Sequence, residues 1–384
     1  MWRHIASNAL TLLVVILVIV VGVIAWGKTQ YSSSGPLDEA ICLRVKSGSN
    51  MSRVSEELAE RGAVSNPAIF RIGANYARKS GQLKAGSFLV PEGASMEEIV
   101  DIVTRGGAST CGTEVVYRIG VNRTNMQVRE LDPATTRFVE VVSFDPAAEA
   151  VPEAYREVRD QGDTRYRIAM AEGTTVWQVV EALRQADFLK GEVEALPPEG
   201  TLAPDSYEVV AGADRSELLD KMQQEQARRL AEAWETRADG LPFDTPQDAL
   251  ILASIIEKET GTPDERAQVA SVFVNRLRRG MRLQTDPAVI YGVTNGQGNL
   301  GRGLRQSELR KETPYNTYVI EGLPPTPIAN PGIEAIDATL HPAQTDFLFF
   351  VADGTGGHAF AKTLAEHNEN VAKWRAIERD QGGN

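Results

Sequence analysis

Two glutamates close the most apolar helix that the second half of the sequence predicts. Glu257 and Glu259 follow residues 249–256, which are apolar except for one serine. The helix is predicted to begin at Pro246 with Thr245 as its N-cap, because proline is favoured at the first helical position. A carboxylate at the other end lies at the negative pole of the helix dipole, where its ionised form is disfavoured. Paired carboxyls there suit acid–base chemistry, although glutamates at a helix end also form ordinary salt bridges.

Spacing separates the two glutamates. The residues three and four positions before Glu259 are Ile256 and Ile255, whereas Glu257 neighbours small residues. Glu259 therefore follows the apolar face, where partial desolvation raises the pKa of a carboxyl. A general acid at neutral pH needs that shift. The pattern favours Glu259 as the acid and leaves Glu257 as the fallback.

Polar and aromatic residues in Pro- and Gly-rich loops follow this helix, at 281–292, 314–318, 322–332 and 352–360. Amides and hydroxyls bond sugar hydroxyls, and tyrosines stack on sugar faces, so these loops suit a carbohydrate cleft. Asp286 precedes a proline and is also typical of a residue that closes a turn.

The histidines do not predict a metal site. His341, His358 and His367 lack the compact spacing of metal ligands, and the two cysteines are far away in sequence. We therefore expect no catalytic metal and no cofactor. His358 follows two glycines, and we expect it either to line the cleft or, more simply, to pack in the core.

Composition and charge narrow the class of protein. The 384 residues are 42% hydrophobic and 24% charged, which excludes wholesale disorder and collagen-like repetition. The length predicts two or three domains. The net charge of −12 argues against a nucleic-acid partner, because binding to phosphates needs a basic stripe.

A membrane helix is predicted at residues 5–26. This run has about the 20 apolar residues that a helix needs to cross a bilayer, and Trp2 and Trp26 flank it as interface residues do. The alternative is a cleaved signal peptide, but signal cores are shorter and end in a small-x-small site. A weak positive-inside bias places residues 1–4 in the cytoplasm and the rest of the chain outside. The lipid bilayer is thus a predicted partner through residues 5–26.

A strand–glycine–helix pattern occurs twice after a flexible linker at 27–40. The first predicted unit spans 41–110, and the second, with a long charged helix, spans 166–237. The pattern resembles LysM-like modules, which bind N-acetylated glycans in other proteins. A purely structural role is the alternative for these units.

The remaining segments are an insertion and a last domain. Residues 111–165 are predicted to form connecting strands, with a poorly packed stretch at 145–163. A Gly and a Pro end the long helix before residue 243, so a separate catalytic domain is predicted at 238–384.

Cys42 and Cys111 bracket the first unit. Outside the cytoplasm they meet an oxidising environment, which predicts a disulfide between them. Two buried thiols are the alternative.

The chain as a whole resembles the endolytic murein transglycosylases of the MltG (YceG-like) type. The resemblance is carried by Ala-Ser-Ile-Ile-Glu-Lys-Glu-Thr at 253–260, Leu-Gln-Thr-Asp-Pro at 283–287, Tyr-Asn-Thr-Tyr at 315–318 and the 322–332 loop. The insertion and the cysteine pair depart from the family pattern. The resemblance implies an α+β fold: an N-terminal transmembrane helix, LysM-like β/α subdomains, then a mainly helical lysozyme-like catalytic domain with small β elements.

The resemblance also implies an activity and its residues. A membrane-anchored lyase of this family cleaves the bond between N-acetylmuramic acid and N-acetylglucosamine within peptidoglycan strands and leaves 1,6-anhydromuramyl ends. The glutamate before Thr260 is similar to the catalytic Glu-Ser signature of lysozyme-like transglycosylases, which again selects Glu259. Gln284, Thr285, Asn316 and Tyr318 would hold the glycan.

The same resemblance predicts the compartment and the partners. The chain would lie in the bacterial inner membrane with its catalytic domain in the periplasm. It would trim or end nascent strands beside peptidoglycan synthases. Two other readings stay open: a membrane-tethered glycan-binding scaffold without activity, and a hydrolytic muramidase that uses the same glutamate with water as the nucleophile.

Overall fold

The computed structural model describes residues 2–105 and 110–381. It contains two compact units. Unit 1 has the chain up to Val116, Gln127–Phe144 and Val151–Tyr166, and unit 2 has Tyr117–Met126, Asp145–Ala150 and the chain from Arg167 onward. Residues 1, 106–109 and 382–384, which belong to the predicted segments 1–4, 41–110 and 238–384, lie outside the described residues.

The secondary structure is mixed α and β. The helices are α1 (Trp2–Ser32), α2 (Met51–Glu60), α3 (Pro67–Tyr76), α4 (Met96–Thr104), α5 (Glu153–Arg159), α6 (Val176–Gln185), α7 (Arg215–Glu235), α8 (Pro246–Glu259), α9 (Arg266–Arg278), α10 (Asp286–Thr294), α11 (Gln306–Arg310), α12 (Ile333–Leu340) and α13 (Leu364–Gln381). A 3-10 turn spans Pro263–Glu265. The strands are β1 (Ile41–Val45), β2 (Gly86–Val90), β3 (Thr113–Ile119), β4 (Thr124–Asp132), β5 (Arg137–Phe144), β6 (Arg165–Met170), β7 (Leu189–Lys190), β8 (Ser206–Val209), β9 (Ala213–Asp214), β10 (Phe349–Ala352) and β11 (His358–Ala361).

Helix α1 contains the whole predicted membrane segment 5–26 and extends beyond it at both ends. Its stretch Leu10–Ser32 is long and apolar enough to cross a membrane. An apolar N-terminal helix of this kind suggests a single-pass anchor. The predicted linker 27–40 differs from the structure in its first six residues, which are helical up to Ser32. The helix continues there because Tyr31 packs against the core of unit 1.

The predicted unit 41–110 has a β-α-α-β order followed by α4. Strands β1 and β2 pair antiparallel, with Leu43 opposite Phe88. Both side chains are buried with Leu58 of α2 and Phe70 of α3. The capping box expected at α4 is confirmed: Ser95 caps the helix, and its own N–H donates to the N3 glutamate at 2.8 Å.

The insertion at 111–165 packs more closely than predicted. Strands β5, β4 and β3 are neighbours in one sheet, in that order. Tyr155 of α5 is only 1% exposed, and its ring centroid lies 5.7 Å from that of Phe144. The prediction of poor packing is wrong for this helix, because Tyr155 and Val158 are three residues apart and share one buried face.

The two cysteines lie close together in unit 1. The Cα atoms of Cys42 and Cys111 are 5.7 Å apart, within the range that a disulfide spans. Their pairing in an exported chain stays a prediction.

Unit 2 packs around α8. Its core includes Ile255 and Ile256 of α8, Phe273 of α9, Ile336 of α12 and Ala233 of α7. Helix α7 therefore shares one core with the elements that follow it, and the predicted boundary at residue 238 does not separate two compact units. The predicted second LysM-like unit at 166–237 differs from the first, since a single helix, α6, lies between β6 and β8.

We expect the Cys42–Cys111 bond to stabilise unit 1. Closing a loop of 69 residues is worth about 4 kcal/mol in the chain-entropy model. The double variant Cys42→Ser/Cys111→Ser should therefore lower the melting temperature of the detergent-solubilised chain. Reductant should lower it for the natural chain only. Equal melting of the natural chain with and without reductant would contradict the pairing.

Candidate active site

Glu259 is the last residue of a helix that is buried along most of its length. Thr245 caps α8 by accepting a hydrogen bond from Asp248 N at 3.1 Å, and Pro246 is the first helical residue, as predicted. Residues 249–256 are all buried. The helix ends when Thr260 adopts an extended backbone. A fully packed helix thus holds the Glu259 carboxyl at the pole that disfavours negative charge.

Burial is the main cause of a raised pKa at Glu259. The side chain is half-buried, and desolvation raises the pKa of Glu259 to about 7. The hydroxyl of Thr285 opposes this rise, the charge of Asp286 adds to it, and His358 and Arg276 oppose it. The carboxyl therefore has access to both protonation states near neutral pH, which a group that donates and later accepts a proton requires.

Thr285 brings a buried hydroxyl to this carboxyl. It is the N-cap of α10 and is 1% exposed, but its side chain makes no capping bond. Its Oγ1 atom has no hydrogen-bond partner within 3.5 Å among the described residues, although it lies close enough to Glu259 to stabilise the ionised form. A buried hydroxyl without a partner carries a desolvation cost that a hydrogen bond would remove. Thr285 is thus free to bond Glu259 or a bound molecule after a small movement.

The 315–318 loop fixes the position of Thr285. The Thr317 hydroxyl accepts from Thr285 N at 2.9 Å and donates to Thr285 O at 3.1 Å. Gln284 N donates to Thr317 O at 3.1 Å, and the Gln284 backbone is left-handed with φ 51°. These three bonds hold the start of α10 in register with the loop.

Tyr318 completes the wall beside Glu259. Its hydroxyl donates to Asp286 Oδ1 at 2.7 Å, and the Glu259 charge is among the causes that raise the pKa of Tyr318, after burial and Asp286. Thr285, Asp286 and Tyr318 are thus brought together with Glu259.

Asn316 has a different position from the other predicted glycan contacts. It is fully buried, and its amide donates to the backbone oxygens of Glu308, Leu309 and Lys311, while Tyr318 N donates to its Oδ1. These bonds shape the loop and leave the amide inside the protein. The side chain of Gln284, the residue before Thr285, is exposed.

Glu257 is committed to another element. Its Oε2 accepts a hydrogen bond from Gly332 N at 3.1 Å, and Gly332 is the N-cap of α12. Burial raises the pKa of Glu257, the Gly332 N–H opposes the rise, and Glu172 adds to it. A carboxylate at a helix N-terminus is a stabilising arrangement. The structure therefore gives Glu257 a structural role that Glu259 lacks.

Arg276 lies near the site and was not singled out from the sequence. It is buried on α9, where its guanidinium donates to Leu348 O at 2.7 Å and to Leu283 O at 2.6 Å. The Phe349 ring lies 5.3 Å from its Cζ atom. This cation holds the irregular segment before Thr285 through Leu283 O and helps to lower the pKa of Glu259. Its position on the face that also holds Phe273, three residues earlier, was the available signal.

His358 lies near Glu259 and is held by Glu265. Its Nδ1 is 2.8 Å from Glu265 Oε2, and its backbone N–H donates to Glu265 Oε1 at 3.0 Å. Phe350 contacts the imidazole edge-on, with centroids 5.2 Å apart. The ring is thus packed, as the simpler expectation had it, and His358 is among the causes that lower the pKa of Glu259. A place in the cleft stays a prediction.

Together these residues form an acid–base site with one central carboxyl. Hydroxyls from Thr285 and Tyr318 and a second carboxylate, Asp286, surround it, and a buried arginine and a histidine limit the rise of its pKa. Such a set is chemically able to move a proton to and from a polar substrate.

Known proteins of one family are similar to this chain. The model of the YceG-like family matches residues 143–373. The endolytic murein transglycosylase of Bacillus subtilis strain 168 is 27% identical over 332 residues, which cover 86% of this chain and 84% of that protein. The endolytic murein transglycosylase of Streptococcus pneumoniae strain D39 is 26% identical over 349 residues.

The match to the pneumococcal protein covers 87% of this chain, which spans only 58% of that relative's length. A crystal structure of a putative yceG-like protein from Listeria monocytogenes is 24% identical, covers 86% of this chain and 99% of its own, and superposes with a TM-score of 0.46. Because the family model alone covers more than half of the sequence, the chain belongs to the YceG-like family.

Proposed function

We propose that this chain is a membrane-anchored, endolytic peptidoglycan lytic transglycosylase with Glu259 as its acid and base. The observation that carries the proposal is the Glu259 carboxyl, whose pKa is about 7 and which lies beside Thr285 and Asp286. The names of the Bacillus and Streptococcus relatives support the same activity.

The proposed reaction needs a single carboxyl. Protonated Glu259 donates its proton to the glycosidic oxygen between N-acetylmuramic acid and N-acetylglucosamine, and the bond from that oxygen to the muramyl anomeric carbon breaks. The muramyl 6-hydroxyl then attacks the anomeric carbon, and its proton passes to the Glu259 carboxylate. Glu259 is thereby restored, no water is consumed, and a 1,6-anhydro end forms. A second catalytic carboxylate is not required, unlike in most glycosidases.

The residues around Glu259 divide into two proposed roles. Thr285 and Tyr318 present hydroxyls near Glu259, and Gln284 has an exposed amide, so we assign these three to glycan contact. Asn316 was predicted in the same role. Its internal hydrogen bonds support a role in shaping the 315–318 loop instead.

The proposal also covers the location of the chain and the role of the unit at 41–110. Helix α1 would cross the inner membrane once, with residues 1–4 in the cytoplasm and the catalytic part in the periplasm. The β-α-α-β order of β1, α2, α3 and β2 supports a LysM-like unit that contacts glycan. Work beside peptidoglycan synthases stays a prediction from the family resemblance.

The first prediction concerns the acid. We expect Glu259→Gln to abolish anhydromuramyl products, because an amide has no proton to donate at neutral pH. Glu257→Gln is the matched control and should stay active, since the glutamine oxygen still accepts from Gly332 N. Mass spectrometry of digested, uncrosslinked peptidoglycan strands reads both variants.

The same digest tests the competing functions. Reducing ends instead of anhydro ends would indicate a hydrolytic muramidase. Strand binding without any product from the natural chain would indicate a scaffold. Activity in Glu259→Gln together with loss in Glu257→Gln would transfer the acid to Glu257.

The second prediction concerns pH. The first step needs protonated Glu259, so kcat/KM should fall as the pH rises through about 7. The fall should follow the loss of a single proton, about tenfold in kcat/KM for each pH unit above that pKa. A pH–rate profile on soluble strands measures this limb. A basic limb at the ordinary carboxyl pKa near 4.5 would contradict the role of burial.

The third prediction concerns Thr285. Its hydroxyl lowers the pKa of Glu259, so Thr285→Val should move the basic limb of kcat/KM to higher pH. Thr285→Ser keeps the hydroxyl and should keep the limb near its natural position. Valine fits the buried site and loses no capping bond, because the threonine makes none. An unchanged limb in Thr285→Val, with only KM altered, would restrict Thr285 to glycan contact.

A further inference from the structure

Helix α1 is joined rigidly to unit 1. It continues to Ser32 without a break, and Tyr31 packs against the core of this unit. The Tyr31 ring lies directly against Gly73 of α3, so closely that no larger residue fits at position 73 without displacing the ring. The end of the apolar helix is therefore fixed to the surface of α3.

Helix α3 has an exposed apolar face. Ile72 is 68% exposed and Tyr76 is 92% exposed, whereas Phe70 and Ala74 of the same helix are fully buried. Ala68, Ile72 and Tyr76 follow each other at four-residue intervals and share one side of the helix, and all three are exposed. Large apolar side chains grouped in this way mark a surface that contacts a partner or a membrane.

The length of α1 places α3 at the height of the lipid headgroups. Trp26 is 57% exposed and has the residue type that occupies a membrane interface. Tyr31 follows five residues later, which is about 7.5 Å along a helix axis at a rise of 1.5 Å per residue. The headgroup layer on each side of the hydrocarbon core is about 5–7 Å thick. Gly73 and its neighbours on α3 therefore lie within or just above that layer.

Charges of both signs lie near Tyr31. Glu97 and Asp101 of α4 face Tyr31, and Asp101 is paired with Lys79. Arg78, directly after α3, has an exposed side chain that suits lipid phosphates.

We propose that α3 is an interfacial helix that docks unit 1 on the outer leaflet through Ile72 and Tyr76. The proposal rests on the membrane anchoring by α1 proposed above. The bilayer is the chosen occupant because the helix that crosses it ends against α3. Docking holds unit 1 at a fixed height above the membrane, so that α1 is not a flexible tether.

The test uses the full chain in vesicles of phosphatidylcholine and phosphatidylglycerol, with or without bromine on the acyl chains near the headgroup. An environment-sensitive fluorophore is attached to Ile72→Cys, and in a parallel sample to Val18→Cys in the middle of α1. The natural chain, treated alike, gives the labelling background from Cys42 and Cys111. Ile72 is exposed, so its replacement should leave the fold intact.

We expect brominated lipid to quench the label at position 72. A water-soluble quencher should not reach the same label, because the membrane shields it. Tyr76→Asp, added to the labelled chain, should reduce the lipid quenching. Val139→Asp is the matched control, because it also places a charge at an exposed apolar residue of unit 1, and it should leave the quenching unchanged.

Three outcomes would overturn the proposal. A label at 72 that stays open to water, while the label at 18 is quenched by lipid, would leave the anchor in place and remove the docking. Absence of quenching at both positions would remove the anchoring itself. The label at 72 could also be shielded from the water-soluble quencher without being quenched by brominated lipid. If that shielding increased with protein concentration, the face would belong to a contact with a second copy of the chain.

Discussion

The site depends on one constraint, the burial of a carboxyl at the end of a helix that is itself buried. Residues 249–256 are all buried, so α8 holds its half-buried last residue, Glu259, in a fixed position. Desolvation and the helix dipole both act against an ionised Glu259. Thr285, His358 and Arg276 then restore part of the stability of the charged form. The balance leaves a carboxyl that ionises near neutral pH, and each surrounding element contributes one part of it.

Many polar side chains of the loops act on Glu259 indirectly, because they fix the backbone of the residues that surround it. The Thr317 hydroxyl bonds both the N–H and the C=O of Thr285. The Asn316 amide donates to three backbone oxygens. Arg276 ties the chain before Thr285 to the start of β10 through Leu283 O and Leu348 O. A polar residue in a proline-rich loop thus has two uses, to meet a ligand or to satisfy buried backbone groups. Only its burial and partners distinguish them.

The sequence predicted those features whose causes are local. Thr245 and Pro246 mark the start of α8, and Ser95 with Glu98 marks α4, because capping needs partners only three residues apart. The apolar face of Glu259 was readable for the same reason. The pair His358–Glu265 joins residues 93 positions apart, and Arg276 reaches oxygens 7 and 72 positions away. No periodic pattern encodes such partners. The linker prediction failed at 27–32 because a tertiary contact, Tyr31 on Gly73, overrides the local Ser-rich signal.

The two glutamates of α8 illustrate how the same residue type acquires different roles. Burial raises the pKa of both, so acidity alone does not separate them. Glu257 accepts a hydrogen bond from the backbone N–H of Gly332 at the start of α12, which opposes the rise of its pKa and stabilises a helix. Glu259 lies beside the Thr285 hydroxyl, which has no hydrogen-bond partner within 3.5 Å among the described residues. The Glu259 carboxyl is therefore not committed to a fixed structural hydrogen bond as Glu257 is. A group that must donate and then recover a proton needs that freedom. The difference in partners, more than the difference in burial, therefore supports the proposal that Glu259 is the acid.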